Sequence, residues 1–239
     1  MSMSHDEFFE QLIKSISTTD HIRPEDFPNI DLYMDQVTTF MSSELEGTKL
    51  HPEDKVLTKT MINNYAKDNL LPSPIKKKYS KDHMIVLLFI YYLKNILSIS
   101  DIQNILDPLT ERFFSGDNKT SDVTMDDIYR NIYGTITGDL GNLSDDIAHK
   151  IETSNNTFQD VKDEKEQEFL QYFSLICMLS YDIFVKKQTL TALVDKLKTE
   201  ENDRKTQEAE AKKAETKKAE TKKAETKKAD AKAEKKQKK

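Results

Sequence analysis

The sequence is poor in the residues that punctuate or staple a chain: one cysteine, no tryptophan, five glycines and six prolines in 239 positions. A single thiol, Cys177, excludes an intramolecular disulfide framework and any thiolate zinc site. Its place in the apolar run 175–179 reads as that of a small core residue. There is no Asn-Gly or Asp-Gly pair and no sustained period-two alternation, so hairpin and strand signals are weak. The most apolar run, 84–93 (MIVLLFIYYL), is ten residues, about half of what a helix needs to cross a bilayer. It reads as a buried helix. The first residues lack a basic segment followed by an apolar one, so no secretory signal is read there and the default address is cytoplasmic.

What is present is helical spacing. Ser4 is placed to cap a first helix with Phe8, Phe9, Leu12, Ile13 and Ile16 on one face. Residues 21–30, with Pro24 and Pro28, form an extended connector. A helix beginning at Asp31 carries Val37, Phe40, Met41 and Leu45 inward, and Gly47 and Pro52 end it. Thr58 caps a short helix, Leu70-Leu71-Pro72 stops it, and Ser80 caps the long apolar helix to about Leu97. A further short helix starts at Ser98 or Ser100. Residues 116–121 read as a polar loop, 124–137 as a helix, and 138–157 as loop-like with a short helical piece at 144–151. From 163 to 199 the absence of Gly and Pro fits one long buried helix, or two meeting near Lys186. His83, near the start of its helix, reads as a surface or boundary residue. The fold class is all-α.

Charge divides the chain into three. The formal net charge is −6, yet residues 201–239 hold 15 basic and 9 acidic side chains, a net of +6. This tail repeats Lys-Lys-Ala-Glu-Thr with period five and contains no hydrophobic residue but alanine. It cannot bury enough apolar surface to offset chain entropy. It is therefore disordered or a fluctuating single helix, and serves as a solvated appendage or an electrostatic tether. Residues 55–94 hold eight lysines and two acids, again +6, which leaves −18 on the rest of the body. A basic stretch on an acidic body is the footprint of a protein that meets phosphates with one surface.

Within that stretch, Leu57, Met61, Ile62 and Tyr65 line one face of the Thr58 helix, while Lys59, Thr60, Asn63, Asn64 and Lys67 line the other. The segment Met61 to Pro72, with Tyr65 four residues before Leu70-Leu71-Pro72, then Tyr79-Ser80, then Ser98-Ile99-Ser100-Asp101-Ile102, resembles the MerR-type winged helix-turn-helix regulators. A closer resemblance runs over most of 26–200. Pro28 to Thr38, Leu57 to Tyr65 and Lys76-Lys77-Lys78-Tyr79-Ser80 are similar to an uncharacterised bacterial family, classed as a domain of unknown function and held to be MerR-like. Three features depart from MerR: about 16 residues separate the two first helices, the Lys76–Lys78 stretch is shorter than the usual wing, and the C-terminal half has no cysteine cluster.

The resemblance implies a sequence-specific DNA-binding transcriptional regulator. Thr58, Lys59, Thr60, Asn63, Asn64 and Lys67 would serve the major groove. Lys76, Lys77 and Lys78 would hold phosphates, with Tyr79 packed beneath them. The expected organisation is an N-terminal helix and connector (1–25), a MerR-like winged helix-turn-helix domain (26–110), a helical bundle for dimerisation or sensing (111–200) and the tail (201–239). The expected partners are DNA and a second copy of the chain, with no membrane and an effector of unspecified chemistry that could occupy a pocket within 124–185. The alternative is a helical protein-interaction module with a degenerate helix-turn-helix that binds no DNA. The glycines at 134, 138 and 141 lack phosphate-loop spacing, 117–127 lacks calcium-loop ligands, and the histidines are scattered. No catalytic residue, cofactor or metal site is nominated, and no enzymatic activity is expected.

Overall fold

The computed structural model describes residues 5–17, 21–49, 51, 53–114 and 122–237. The expected cap Ser4, the helix stop Pro52 and the expected polar loop at 116–121 lie outside them. The chain divides into two units, residues 1–191 and 192–239. The fold is mostly helical: α1 (His5–Ser17), β1 (Leu32–Tyr33), α2 (Met34–Glu44), α3 (Lys59–Lys67), β2 (Lys78–Tyr79), α4 (Lys81–Leu93), α5 (Ile99–Phe113), α6 (Met125–Asn155) and α7 (Glu164–Gln237).

In the first unit the core is built around α4, where Met84, Ile85, Val86, Leu87, Leu88 and Ile90 have no exposed surface. A helix apolar on every side must be enclosed on every side. Val37 and Met41 of α2, Ile62 of α3, Ile102 and Leu106 of α5, and Met125 and Tyr129 of α6 join it in the core. The connector 21–30 is held to this core at three points. Phe27 packs edge-on against Tyr129 at 5.3 Å, the Tyr129 hydroxyl donates to the Ile22 carbonyl, and Lys81 Nζ donates to the Pro24 carbonyl at 3.0 Å. A smaller core joins Phe9 of α1, Ile151 of α6 and Leu175 of α7.

The N-caps fall where the side chains can supply them. Thr58 Oγ1 accepts from the Met61 N–H at 3.2 Å, and Ser98 Oγ accepts from the Asp101 N–H at 3.1 Å. At the start of α4, Ser80 and His83 form a reciprocal cap in which the Ser80 N–H donates to His83 Nδ1 at 3.0 Å.

Several expectations fail in instructive ways. The Asp31 helix begins three residues late, because Leu32 and Tyr33 pair antiparallel with Tyr79 and Lys78. The loop expected over 138–157 is helix: α6 runs unbroken through Gly134, Gly138 and Gly141, with Ile132, Ile136, Leu140, Leu143, Ile147 and Ile151 keeping helical spacing across them. Glycine raises the cost of a helical position by about 1 kcal/mol without forbidding it. His83 is 2% exposed, not a surface residue, and Cys177 is exposed, not core. The thiol lies two positions beyond Leu175, on a different side of α7 from the residue that packs inward. The long helix expected over 163–199 is one helix, but much of its apolar surface is open: Phe169, Phe173, Ile176 and Tyr181 are all more than half exposed.

The second unit is the remainder of α7, which continues through the Lys-Lys-Ala-Glu-Thr repeats to Gln237. Arg204 bridges Glu201 and Glu208, both at 2.6 Å, at helical neighbour spacing.

Candidate nucleic-acid interface

Helix α3 is nine residues long and strongly two-sided. Ile62 and Tyr65 are buried, while Lys59, Thr60, Asn63, Asn64 and Lys67 are exposed. The Thr58 hydroxyl is engaged as the cap, so its first role is to fix the start of the helix. The helix closes at Asn69, whose φ of 57° turns the chain back so that the Leu70 and Leu71 N–H groups donate to the Tyr65 carbonyl at 2.8 and 3.1 Å. Asparagine tolerates this left-handed conformation better than most side chains. Both leucines are buried, which locks the exit from the helix.

Beyond Pro72 and Pro74 stands a minimal hairpin. The Ile75 N–H donates to the Lys78 carbonyl at 3.1 Å and the Lys78 N–H to the Ile75 carbonyl at 2.9 Å. Lys76 and Lys77 sit between them at φ 51° and 65°. Two positive φ values define the type I′ turn that suits the twist of a two-residue hairpin. Glycine and asparagine fill such positions cheaply; lysine does so at roughly 1 kcal/mol each. The sequence signals for a hairpin are absent because the turn is imposed by its surroundings. Lys78 and Tyr79 also pair with β1, giving a small ladder in the order β1, β2, Ile75.

Contacts at the junction of β1 and α2 draw the helix and the hairpin together. Lys59 pairs with Asp35, and Lys78 Nζ lies 5.3 Å from the centre of the Tyr33 ring. Asp35 and Tyr33 are two residues apart, so the beginning of α3 and the return strand of the hairpin share one anchor. The Lys59–Asp35 pair is well exposed on both sides and adds little stability. Its effect is on position.

The structure sorts the sequence-predicted residues into groups. Lys59, Thr60, Asn63, Asn64 and Lys67 share the open face of α3, and Lys76 and Lys77 are exposed at the hairpin tip. Lys78 is half-buried. Tyr79 is 3% exposed, beneath the lysines as expected, with its ring edge-on to His83 at 5.5 Å, and burial raises its hydroxyl pKa. It can hold the strand but not reach a ligand. The count of +6 over 55–94 overstates the surface patch, because two of its lysines turn inward. Lys81 bonds Asp126 at 2.7 Å, and Lys94 donates to the Val56 carbonyl at 3.0 Å, with burial lowering its pKa. Charge counting along a sequence does not see which cations are spent on the fold.

Burial also holds the His83 imidazole below the ordinary histidine range, against the opposing influence of the Ser73 backbone and Asp82. Among the described residues no group of three or more His, Cys, Asp or Glu is placed to hold a metal ion. The cavity expected within 124–185 takes only residues 128–136 from that span; α4, α5 and His21 complete it. The tyrosines at 129 and 133, one turn apart, are the sequence signal that could have marked it.

No curated protein and no solved structure matches the chain. A family model, Domain of unknown function (DUF1836), matches residues 22–132, which span the connector, the hairpin, α2 to α5 and the first turns of α6. The matched residues include the whole candidate interface.

Proposed function

We propose that the chain is a sequence-specific DNA-binding transcriptional regulator that acts as a homodimer and uses a MerR-like winged helix-turn-helix. The observation that carries this reading is the pairing of a polar, exposed α3 face with an exposed two-lysine hairpin tip, both anchored at Tyr33 and Asp35. Nine helical residues span about 13 Å, enough to meet three or four base edges. Asn63 and Asn64 are suited to adenine, Lys59 and Lys67 to guanine or phosphate. The hairpin stands where the resemblance places a wing, and its strained lysines fit a turn kept for charge rather than for economy.

So short a readout needs a second half-site, hence a dimer. The uncovered apolar face of α7, with Phe169, Phe173 and Ile176, is the surface we assign to the second copy. The same face also supports a second reading, a helical protein-interaction module that binds no DNA.

The test is binding of the full chain to genomic fragments from its own source, followed at several salt concentrations. Changing Lys76-Lys77 to Asn-Gly relieves the turn, so unfolding stability rises by roughly 1–2 kcal/mol. DNA affinity falls in the same variant, and its salt slope drops by about two. Asn63→Ala with Asn64→Ala flattens sequence preference by about 1–3 kcal/mol per lost base contact while general affinity persists. A chain that retains no fragment, or a hairpin variant with unaltered salt dependence, refutes the reading and favours the interaction module.

A further inference from the structure

A cavity of about 570 Å³ opens between α4, α5 and α6 of the first unit. It falls within the range of small-molecule sites. Its walls are aromatic and aliphatic: Phe89 and Tyr92 from α4, Ile105 and Leu109 from α5, Ile132 and Tyr133 from α6. Among the described residues no carboxylate, ammonium or guanidinium group lines it. The polar feature of the wall is a pair in which His21 Nδ1 and the Tyr92 hydroxyl lie 3.2 Å apart. The Tyr129 hydroxyl is engaged with the Ile22 carbonyl.

The apolar stripe of α6 makes the opening visible. Tyr129 and Ile151, toward its two ends, are 4% and 6% exposed, whereas Ile132 and Ile136 between them are 39% and 47% exposed. The ends are covered by the chain itself and the middle is not. A charged ligand would lose its hydration here without gaining a partner, at a cost of several kcal/mol. An uncharged one would gain the contacts that the walls lack.

We propose that this cavity binds an uncharged, predominantly apolar small molecule carrying an aromatic or aliphatic body and a single hydrogen-bonding group directed at the Tyr92 hydroxyl. The site is defined without reference to DNA, so it stands or falls separately from the regulatory reading.

The experiment uses the full chain and N-phenyl-1-naphthylamine, an uncharged arylamine whose fluorescence rises in apolar surroundings. Saturable binding of one dye per chain is expected, weakened at least tenfold by Ile132→Glu with helical content unchanged by circular dichroism. Should that variant not fold, Ile136→Glu, at a more exposed position, reads the same loss. Phe173→Glu on α7 leaves the dye affinity unaltered. The proposal is overturned by non-saturable binding. It is overturned equally if dye is lost on Phe173→Glu but kept in the cavity variants, which puts the probe on α7. A third overturning result is a cavity variant that keeps the dye but changes sedimentation, which makes the opening an interface between copies.

Discussion

Helix α4 and the first part of α7 are both rich in apolar residues and end in opposite circumstances. From Asp82 to Leu88 every residue of α4 is buried, whereas α7 presents Phe169, Phe173, Ile176, Tyr181 and Phe184 to solvent. An 18-residue window of α7 has a mean hydropathy of 1.3, which by length and composition alone would suffice to cross a membrane. The same helix puts Leu175 into a core with Phe9 and Ile151, and its Asp182 pairs with Lys150 at 2.8 Å, so part of its surface is held by protein. Apolar content decides that a helix needs cover. The number of neighbours that the chain can place around it decides how much cover it receives. α4 is enclosed by its own domain; α7 is enclosed on one side, and its other side leaves Phe169, Phe173 and Ile176 exposed.

This contrast can be broken most forcefully in α4. Leu87→Ala is expected to lower unfolding stability by about 2–5 kcal/mol, because it opens a cavity in a fully enclosed core. The apolar-to-Ala change Phe184→Ala on α7 should stay within about 0.5 kcal/mol in the isolated chain. Chemical denaturation of the two variants side by side measures the difference, and equal losses would erase the distinction between the helices.

The second expected effect concerns assembly. On the proposed pairing through α7, replacing Phe169, Phe173 and Ile176 together by Ser should convert a dimer to a monomer in analytical ultracentrifugation, with the helical signal retained. A dimer that survives places the second copy elsewhere.

A smaller effect separates the helices by pH. Burial depresses the His83 pKa in the folded chain, so between that depressed value and the ordinary value of about 6.5 the unfolded chain binds a proton that the folded chain does not. The stability is fully present above about pH 6.5 and is lost progressively as pH falls below it. The urea midpoint should drop between pH 7.5 and 5.5, and His83→Asn, which retains a capping acceptor, should flatten much of that slope. A slope unaltered by the substitution would mean that the buried imidazole of α4 is not its source.

The candidate interface was legible in the sequence to an uneven degree. The two faces of α3 follow from spacing alone, since Ile62 and Tyr65 repeat at helical intervals and Asn63, Asn64 and Lys67 fall opposite them. The caps at Thr58, Ser80 and Ser98 are local events and were readable for the same reason. A short basic turn over Lys76–Tyr79, in the place of a wing, was readable, but its tight hairpin geometry was not, because Lys76 and Lys77 carry no preference for positive φ and take it where β1 fixes the return strand. Nor could charge counting reveal that Lys81 and Lys94 are consumed by distant partners, 45 and 38 residues away.

What the sequence determined by itself is what depends on neighbours a few residues apart: a helical class, the caps, the two-sided α3, and a tail too polar to enter a core. What only the tertiary structure decided depends on encounters between distant segments. Those encounters enclosed α4 and left α7 open, carried α6 through three glycines, bent two lysines into a hairpin, and left a cavity among α4, α5 and α6 whose walls are separated by up to 115 residues of chain. Local spacing fixes which face of a helix is apolar; only the packed chain fixes whether that face is covered.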